Sequence, residues 1–277
     1  MSASAVDLLS ALRTAQAQRQ LSAAAVGQAS GWLQSGALPA AALESLADLI
    51  ARGAWAELED RFYKGIAFGT GGMRGRTVGR VSAANELAAD GAPVRAAVGS
   101  ACLNDINVLR AVLGLWRHVA ASHPSPRIVI AHDVRHFSRH FAELVASAWS
   151  QLGGEAYLFA GARSTPQLSF TVRHLGAQAG VVITASHNPS HDNGFKCCLG
   201  HGGQVTPPDD VAIVAEVGKL GPADVAPYLE KDLARVRTVD AAAEEAYLAR
   251  VAGIVLEPEL MARHAPKVVY TNLHGTG

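Results

Sequence analysis

Two side chains of this sequence, Ser186 and Lys196, have types and spacing that favour chemistry. Ser186 lies in the small polar segment TASHNP at residues 184–189, which directly follows an apolar run at 179–183. A serine hydroxyl can act as an oxygen nucleophile, and a lysine amine can exchange protons when its surroundings lower its pKa. The ordinary alternatives are a turn or cap hydroxyl for Ser186 and a surface amine at a strand edge for Lys196.

The segment between these residues is expected to turn the chain back on itself. Pro189 forbids regular structure, and the DNG triplet at 192–194 is a turn signal. Residues 195–199 then have the pattern of a second short strand. This pattern places Ser186 and Lys196 near the mouths of adjacent strands, where the ligands of α/β proteins tend to bind.

Strands and helices alternate around this segment. The strand predicted at 127–131 lacks polar alternation, which indicates burial on both faces. Ser164 can cap the helix that begins near Pro166, because proline suits the first turn. The predicted strands are 127–131, 156–159, 179–184 and 195–199, and the predicted helices are 104–121, 137–152 and 166–175. This alternation predicts a layered α/β domain.

The two ends of the chain have a different pattern. Residues 1–60 are rich in Ala, Leu and Gln, and their apolar spacing predicts two or three helices. We expect these helices to pack on the main domain, the alternative being an extension that binds a partner. Beyond residue 208, helices are predicted at 208–219 and 240–253, and a strand at 267–271.

Composition narrows the classes of function. The 24 basic and 24 acidic residues give zero net charge, so nothing favours nucleic acid or an anionic membrane as a partner. An anionic small molecule remains compatible with this balance. The three cysteines have no paired spacing, which argues against disulfides and structural zinc and fits a reducing cytoplasm. No signal peptide or membrane-spanning run is predicted.

Several motifs resemble those of the α-D-phosphohexomutase superfamily, which includes phosphoglucomutase and phosphomannomutase. The TASHNP segment is similar to the family's phosphoserine loop, and NGFK at 193–196 matches its Asn-Gly-aromatic-Lys. FGTGGMRG at 68–75 resembles its N-terminal glycine loop, and HDVR at 132–135 resembles its Asp-x-Arg strand end. These motifs occur in the family's order over about residues 60–210, which argues against coincidence.

The resemblance implies a mechanism for Ser186. In this family the loop serine carries a phosphate, gives it to the sugar and takes the other phosphate back from the bisphosphorylated sugar. Two dianionic phosphates about 5 Å apart repel by roughly 13 kcal/mol at an effective dielectric constant of about 20, so cations must surround them. By resemblance, Arg74 and His187 hold the serine-bound phosphate, and Lys196 is the general acid/base beside the sugar hydroxyl.

The same resemblance supplies further site residues. The glycines of the N-terminal loop would let backbone amides approach a phosphate, unless the loop is merely flexible. Asp133 and Arg135 would brace the site through a charge-assisted bond, the alternative being an ordinary surface pair. The residues predicted to bind phosphate or substrate are Gly69, Thr70, Gly71, Gly72, Arg74, Asn188, Asp133 and Arg135.

The sequence departs from the family pattern beyond these motifs. Full-length relatives have four domains, with an Asp-Gly-Asp-x-Asp-Arg loop for magnesium in the second, and no Asp-Gly-Asp occurs here. The resemblance therefore implies an N-terminal part of a mutase, which we expect to be nearly inactive alone. The expected parts are a helical extension at 1–60, domain 1 at 61–220 and an incomplete start of domain 2 at 221–277.

For the intact protein, the resemblance implies interconversion of a sugar 1-phosphate with the 6-phosphate, or with a pentose 5-phosphate. The expected cofactors are Mg²⁺, bound here only through the phosphate on Ser186, and a sugar bisphosphate activator such as glucose 1,6-bisphosphate. The DRF triplet at 60–62 and LHGTG at 273–277 favour the phosphoglucomutase/phosphopentomutase branch. Glucose, mannose, pentose and amino-sugar substrates all stay open, as does the oligomeric state.

Two other functions are compatible with parts of the sequence. A serine hydrolase would use Ser186 as its nucleophile, but the Gly-x-Ser-x-Gly elbow is absent around it. A sugar-phosphate-binding or regulatory domain derived from a mutase would keep the loops without turnover. A phosphate on Ser186 would distinguish the mutase from the hydrolase.

Overall fold

The computed structural model describes residues 5–69 and 72–271 of the chain. Its first four helices are α1 Ala5–Ala17, α2 Ala23–Gln34, α3 Ala40–Ala51 and α4 Trp55–Phe62. Ser22 caps α2 by accepting a hydrogen bond from the amide of Ala25. The buried side chains of these helices share one hydrophobic core with the layered part that follows. The prediction that they pack on the main domain is therefore confirmed, with one helix more than expected.

A six-stranded sheet forms the centre of the described residues. Its strands are β1 Gly72–Arg76, β2 Arg127–His132, β3 Glu155–Leu158, β4 Ala179–Ile183, β5 Asp192–Leu199 and β6 Arg237–Thr238. The spatial order is β1-β5-β4-β2-β3-β6. Strands β4, β2, β3 and β6 run parallel, whereas β5 is antiparallel to both of its neighbours. Parallel neighbours need crossover connections, which bring helices onto the faces of the sheet.

Helices cover both faces of this sheet. The remaining helices are α5 Asp105–Ala120, α6 Ser138–Gln151, α7 Thr165–His174, α8 Asp209–Gly218, α9 Pro222–Val225, α10 Ala241–Ala252 and α11 Glu259–His264. Helices α5 and α6 share the larger core with Ile128 and Ile130, whereas α7 and α10 share the smaller core with Val129 and Ala131. Alternate residues of β2 thus face opposite layers, and the predicted layered α/β class is confirmed. Within the described residues, every helix is too short or too polar to cross a membrane.

The structure corrects two predictions made from strand and turn patterns. Residues 267–271 form no strand: they have no regular structure and pair with none of the described strands, and Val269 is 99% exposed. A strand is stable only where a neighbour accepts and donates its hydrogen bonds. The DNG triplet is not a turn but the start of β5, and the turn lies at 186–191. Asn193 is held in the strand because its buried amide donates to the His136 carbonyl at 2.9 Å.

Two elements after α8, β6 and α10, contact the same layered unit. Strand β6 pairs with β3, and α10 packs against α7. Arg163 binds both carboxylate oxygens of Glu244 on α10, at 2.7 and 2.8 Å. The boundaries predicted at 60/61 and 220/221 stay predictions.

The three cysteines, Cys102, Cys197 and Cys198, are buried and free. In β5, Cys197 belongs to the larger core and Cys198 to the smaller one, so the two thiols point to opposite faces of the sheet. Burial raises the pKa of Cys102 and Cys197 to about 12, and that of Cys198 to about 11. All three thiols are therefore protonated at neutral pH.

Candidate active site

Ser186 lies in an exposed turn three residues after β4. Its backbone is in the left-handed region, with φ of 58°, which a residue other than glycine adopts only where its surroundings hold it. Its amide donates to Thr184 Oγ1 at 3.1 Å, and the amide of Asn188 donates to the Ala185 carbonyl at 3.1 Å. The serine residue is exposed, so its hydroxyl is open to a ligand.

Arg135 holds the backbone of this turn. Its Nη2 donates to the carbonyls of Ser186 at 2.6 Å and Asn188 at 2.7 Å. Its Nη1 donates to the carbonyls of Pro189 at 2.8 Å and Asp192 at 3.2 Å. Its Nε faces a carboxylate oxygen of Asp133 at 3.2 Å. Because four guanidinium hydrogen bonds go to backbone carbonyls and Nε forms an ion pair with Asp133, this arrangement favours the predicted bracing role of Arg135 over phosphate binding.

Asp133 and Asn193 connect this brace to the sheet. The Asp133 carboxylate accepts hydrogen bonds from the Arg135 amide at 3.0 Å and from the Ser138 hydroxyl. Asn193 is fully buried, donates to Ser138 Oγ at 2.9 Å and accepts from the Gly194 amide at 2.8 Å. Sequence reasoning missed Ser138 and took Asn193 for a turn residue. The apolar strand pattern that directly follows Asn193 was a signal that Asn193 could lie buried in the same strand.

Arg74 reaches the same part of the sheet from β1. In the β1–β5 register Arg74 lies opposite Gly194, and Gly72 lies opposite Lys196. The Arg74 side chain crosses Gly194, where an added Cβ would lie only 3.1 Å from its Cγ. Since Lys196 is two residues along β5 from Gly194, the two cations are diagonal neighbours on one face. The Thr184 amide donates to the Gly194 carbonyl at 2.9 Å, which brings the serine turn to this place.

Lys196 is half-buried beside Arg74. Burial lowers its pKa, and the positive charge of Arg74 lowers that pKa further, whereas Asp133 acts in the opposite direction. The net effect is a pKa below the ordinary value of a lysine. A lowered pKa is the property that the predicted acid/base role of Lys196 requires. The pKa is lowered by burial and by the charge of Arg74, which is another predicted site residue.

The glycine-rich segment differs from the glycine loop predicted at 68–75, because residues 72–76 form the edge strand β1. Gly69 and Gly72 exchange two backbone hydrogen bonds, of 2.7 and 3.0 Å, so their amides are not open to a phosphate. Gly72 has φ of 145°, and an added Cβ would collide with the Phe195 carbonyl oxygen. Thr70 and Gly71, also predicted to bind phosphate, lie outside the described residues.

The two remaining predicted residues, His187 and Asn188, directly follow the serine in sequence. His187 Nδ1 is 3.4 Å from Ser186 Oγ, and both side chains are exposed. Asn188 Nδ2 donates to the Asp192 carboxylate at 3.0 Å, which spans the base of the turn. The geometry thus places His187 next to the hydroxyl and uses Asn188 to shape the turn.

A cavity of about 230 Å³ opens beside β1 next to Arg74. Arg74, Arg76 and Lys64 line it together with one carboxylate, that of Asp60. Asp60 Oδ2 lies 3.7 Å from Arg76 Nε and 3.6 Å from Arg80 Nε. Basic side chains therefore outnumber acidic ones around this cavity. Such a balance suits a phosphorylated small molecule better than a neutral one.

Magnesium is expected by resemblance only through a phosphate on Ser186. Across residues 5–69 and 72–271, no three His, Cys, Asp or Glu side chains lie together in a way that could hold a metal ion. Asp133, the acidic residue among the predicted site residues, is already bound by Arg135 and Ser138. The described residues therefore do not by themselves form a magnesium site.

Comparisons of this sequence with a family profile and with known proteins agree on one family. The sequence profile for phosphoglucomutase/phosphomannomutase, alpha/beta/alpha domain I, matches residues 89–223. A phosphoglucomutase of Staphylococcus haemolyticus (strain JCSC1435) is 32% identical over 222 residues, which are 79% of this chain and 36% of that protein. A phosphoglucomutase of Staphylococcus aureus (strain USA300) is 30% identical over 223 residues, with the same coverage of 79% and 36%.

A solved structure agrees with these sequence relatives. A protein of Thermus thermophilus assigned as a phosphomannomutase superposes with a TM-score of 0.50 and 26% identity. The superposition covers 69% of this chain and 36% of that one. The chain therefore spans about a third of the length of the relatives that it matches.

Proposed function

This chain belongs to the α-D-phosphohexomutase superfamily, and from that premise we propose that Ser186 carries the phosphoryl group of a phospho-sugar mutase. The observation that supports this most is the geometry of the turn. An exposed serine is held in a left-handed conformation by Arg135, next to a sheet face that carries Arg74 and Lys196. Positioning and nearby cations are the two things that phosphoryl transfer asks of a protein.

The proposed reaction has two transfers. A sugar hydroxyl oxygen attacks the phosphorus of phosphorylated Ser186, the bond from phosphorus to Oγ breaks, and the hydroxyl proton passes to Lys196 Nζ, from which the departing Oγ is protonated. The bisphosphorylated sugar then presents its other phosphate. Ser186 Oγ attacks that phosphorus and gives up its proton, the bond from phosphorus to the sugar oxygen breaks, and the sugar oxygen takes up a proton. Lys196 must be neutral to accept the first proton, and its lowered pKa supports this assignment.

The proposed substrates are a sugar 1-phosphate and the corresponding 6-phosphate or pentose 5-phosphate, with a sugar bisphosphate as activator. Arg74 and His187 are proposed to balance the charge of the serine-bound phosphate. Magnesium would add positive charge at the transferring phosphate when bound, and ligands besides the Ser186 phosphate would have to come from outside the described residues.

Phosphosite mapping by mass spectrometry tests this proposal. The protein, expressed at full gene length, is incubated with glucose 1,6-bisphosphate and its intact mass is measured. We expect one added phosphoryl group on Ser186, lost in Ser186→Ala and kept in Ser190→Ala, a serine in the same turn. Binding of the sugar phosphate without phosphorylation would instead support a binding domain, and ester hydrolysis without phosphoserine would support a hydrolase.

We further propose that the 277-residue chain turns over little sugar phosphate alone. It spans about a third of the length of its relatives, and its described residues form no metal site. A coupled mutase assay with a sugar bisphosphate primer measures this. Turnover at the rate of an ordinary mutase by this chain would refute the proposal.

A further inference from the structure

Arg61, on α4, is fully buried at the contact between the N-terminal helices and the layered domain. Its Nε donates to Glu57 at 2.7 Å. Its Nη1 and Nη2 donate to the two carboxylate oxygens of Glu86, at 2.6 and 2.9 Å. Nη2 also donates to the Val81 carbonyl at 3.0 Å. Arg61 therefore binds one carboxylate of its own helix together with a carboxylate and a backbone carbonyl that lie 25 and 20 residues away in sequence.

The two carboxylates extend this cluster into the backbone of the segment that follows β1. Glu57 accepts a hydrogen bond from the Val81 amide at 3.0 Å, and Glu86 accepts one from the Ala83 amide at 2.9 Å. Burial alone would lower the pKa of Arg61, but its hydrogen bond and charge interaction with Glu86, and its bond with Glu57, hold that pKa above the ordinary value. The guanidinium is thus permanently charged.

The backbone of Arg61 contacts a second segment, residues 97–103. The Ala101 amide donates to the Arg61 carbonyl at 2.9 Å. Gly99 packs so closely that an added Cβ would lie 2.5 Å from the Arg61 carbonyl oxygen. The buried amide of Asn107 holds the same segment from α5, donating to the Cys102 carbonyl at 2.8 Å.

This segment covers the outer edge of β1. The Leu103 amide donates to the Arg76 carbonyl, and the Ala97 amide donates to the Thr77 carbonyl, both at 2.9 Å. An added Cβ on Gly75 would lie 3.2 Å from both the Ala101 oxygen and the Leu103 nitrogen. Strand β1 is therefore fixed between β5 on one side and a segment anchored on Arg61 on the other.

We propose that Arg61, with Glu57 and Glu86, is a positioning residue that sets the place of β1 and so the distance between the charges of Arg74 and Lys196. This inference rests on the proposed function, since it concerns the lysine assigned there to proton transfer. Arg61 acts through β1 and touches neither Ser186 nor Lys196 directly.

Stability alone is a weak reason for such a cluster. Replacing a buried ion pair by apolar side chains of similar volume is often neutral or stabilising, because desolvation cancels much of the attraction between the charges. A charged, hydrogen-bonded centre does fix direction better than an apolar contact, since each donor and acceptor has a preferred geometry. Precise placement of an edge strand is therefore the property that Arg61 adds.

The titration of Lys196 reports this placement directly. Among the described residues, the charged neighbours that affect it are Arg74 from β1 and Asp133 after β2. The adjacent thiols of Cys197 and Cys198 stay neutral because burial raises their pKa values. If β1 shifts, Arg74 moves away and Lys196 gains solvent, and both changes raise the pKa of Lys196.

The experiment measures the rate at which an amine-acylating reagent labels Lys196 as a function of pH, by peptide mass spectrometry on the full chain. In Arg61→Met and in Glu86→Gln we expect a rise of about half a pKa unit, which is about a threefold lower labelling rate near pH 8. The matched control is Arg127→Met, which removes a half-exposed ion pair with Glu155 on the parallel strands. Its labelling profile is expected to match that of the original chain.

Each outcome decides the inference. Circular dichroism and a cooperative thermal transition identify the folded variants, and if Arg61→Met does not fold, Glu86→Gln decides alone. Unchanged Lys196 profiles in the folded variants, with stability lowered as in Arg127→Met, would overturn the inference and leave a merely structural role. The readout needs no turnover and no phosphate on Ser186, so a failure of the proposed function is seen separately.

Discussion

The guanidinium of Arg135 donates a hydrogen bond of 2.6 Å to the carbonyl oxygen of Ser186. The bond joins a residue just after β2 to the turn after β4, and three further bonds from Arg135 follow the same turn. It compensates for the left-handed backbone of Ser186, which would otherwise cost of order 1–3 kcal/mol. The serine is therefore presented in one fixed conformation.

Arg135→Met should slow phosphorylation of Ser186 by a sugar bisphosphate about 10- to 100-fold, because a misplacement near 1 Å at a reacting atom has an effect of that size. The rate is measured by quenched-flow intact mass. Arg139→Met is the control, since that exposed arginine pairs with Glu143 on α6. Equal rates in both variants and in the original chain would contradict a bracing role.

Lys196→Met should change how stability depends on pH. The folded pKa of Lys196 lies below its ordinary value, so between the two pKa values the unfolded chain binds more protons than the folded chain. The contribution of Lys196 is therefore least favourable below its folded pKa and improves as the pH rises through that window toward about 10.4.

The measurement is urea unfolding of the original chain and of Lys196→Met at several pH values. The free energy of unfolding of the original chain minus that of the variant should increase with pH. The three buried cysteines titrate in both proteins and cancel in this difference. A difference that falls with pH would show that the folded state raises the pKa of Lys196.

Gly72→Ala should destabilise the chain by about 2–4 kcal/mol, because the positive φ disfavours a side chain and the new methyl group would collide with the Phe195 carbonyl. Gly27→Ala is the control: Gly27 lies inside α2 with open space around its Cα, so alanine should stabilise the chain by about 0.5–1 kcal/mol. Chemical denaturation measures both. Equal changes in the free energy of unfolding in the two variants would show that β1 and β5 are not in close contact at Gly72.

Asn193→Ala should also destabilise the chain, by about 1–3 kcal/mol, since it removes a fully buried amide and leaves the His136 carbonyl and the buried Ser138 hydroxyl with fewer partners. Thermal unfolding measures the loss. Asn188→Ala, which removes a bond at the partly exposed turn, should have a smaller effect. A larger loss of stability in Asn188→Ala would show that the hydrogen bond within the turn at 186–191 contributes more than the bonds of Asn193 in β5.

Much of the fold could be predicted from local patterns. The helices and strands between residues 104 and 199 have periodic apolar residues, caps and breakers, and the structure has them within one or two residues, except at the start of β5. That start was missed because Asn-Gly is an intrinsic turn signal, and a buried hydrogen bond from Asn193 outweighs it. The exposed segment at 267–271 has strand-like residues but pairs with none of the described strands.

The candidate site could be predicted less completely. Ser186 and Lys196 were predicted from their residue types and spacing, and Arg74 from the resemblance of residues 68–75 to the family's glycine loop. The engagement of Arg135 with four carbonyls depends on where two loops meet, and no local pattern encodes that meeting. The same holds for the pairing of Arg61 with Glu86, 25 residues away in sequence, whereas Glu57 lies one helical turn away on α4.

The three buried thiols make the chain a natural reporter of its own opening. Cys197 and Cys198 sit on opposite sides of the strand that carries Lys196, and Cys102 belongs to the segment that covers the edge strand. A thiol-selective dye should leave the native protein unmodified. During unfolding, the time at which each thiol reacts therefore measures when the layer that covers it separates from the sheet. No engineered cysteine is needed to follow, layer by layer, how this protein comes apart.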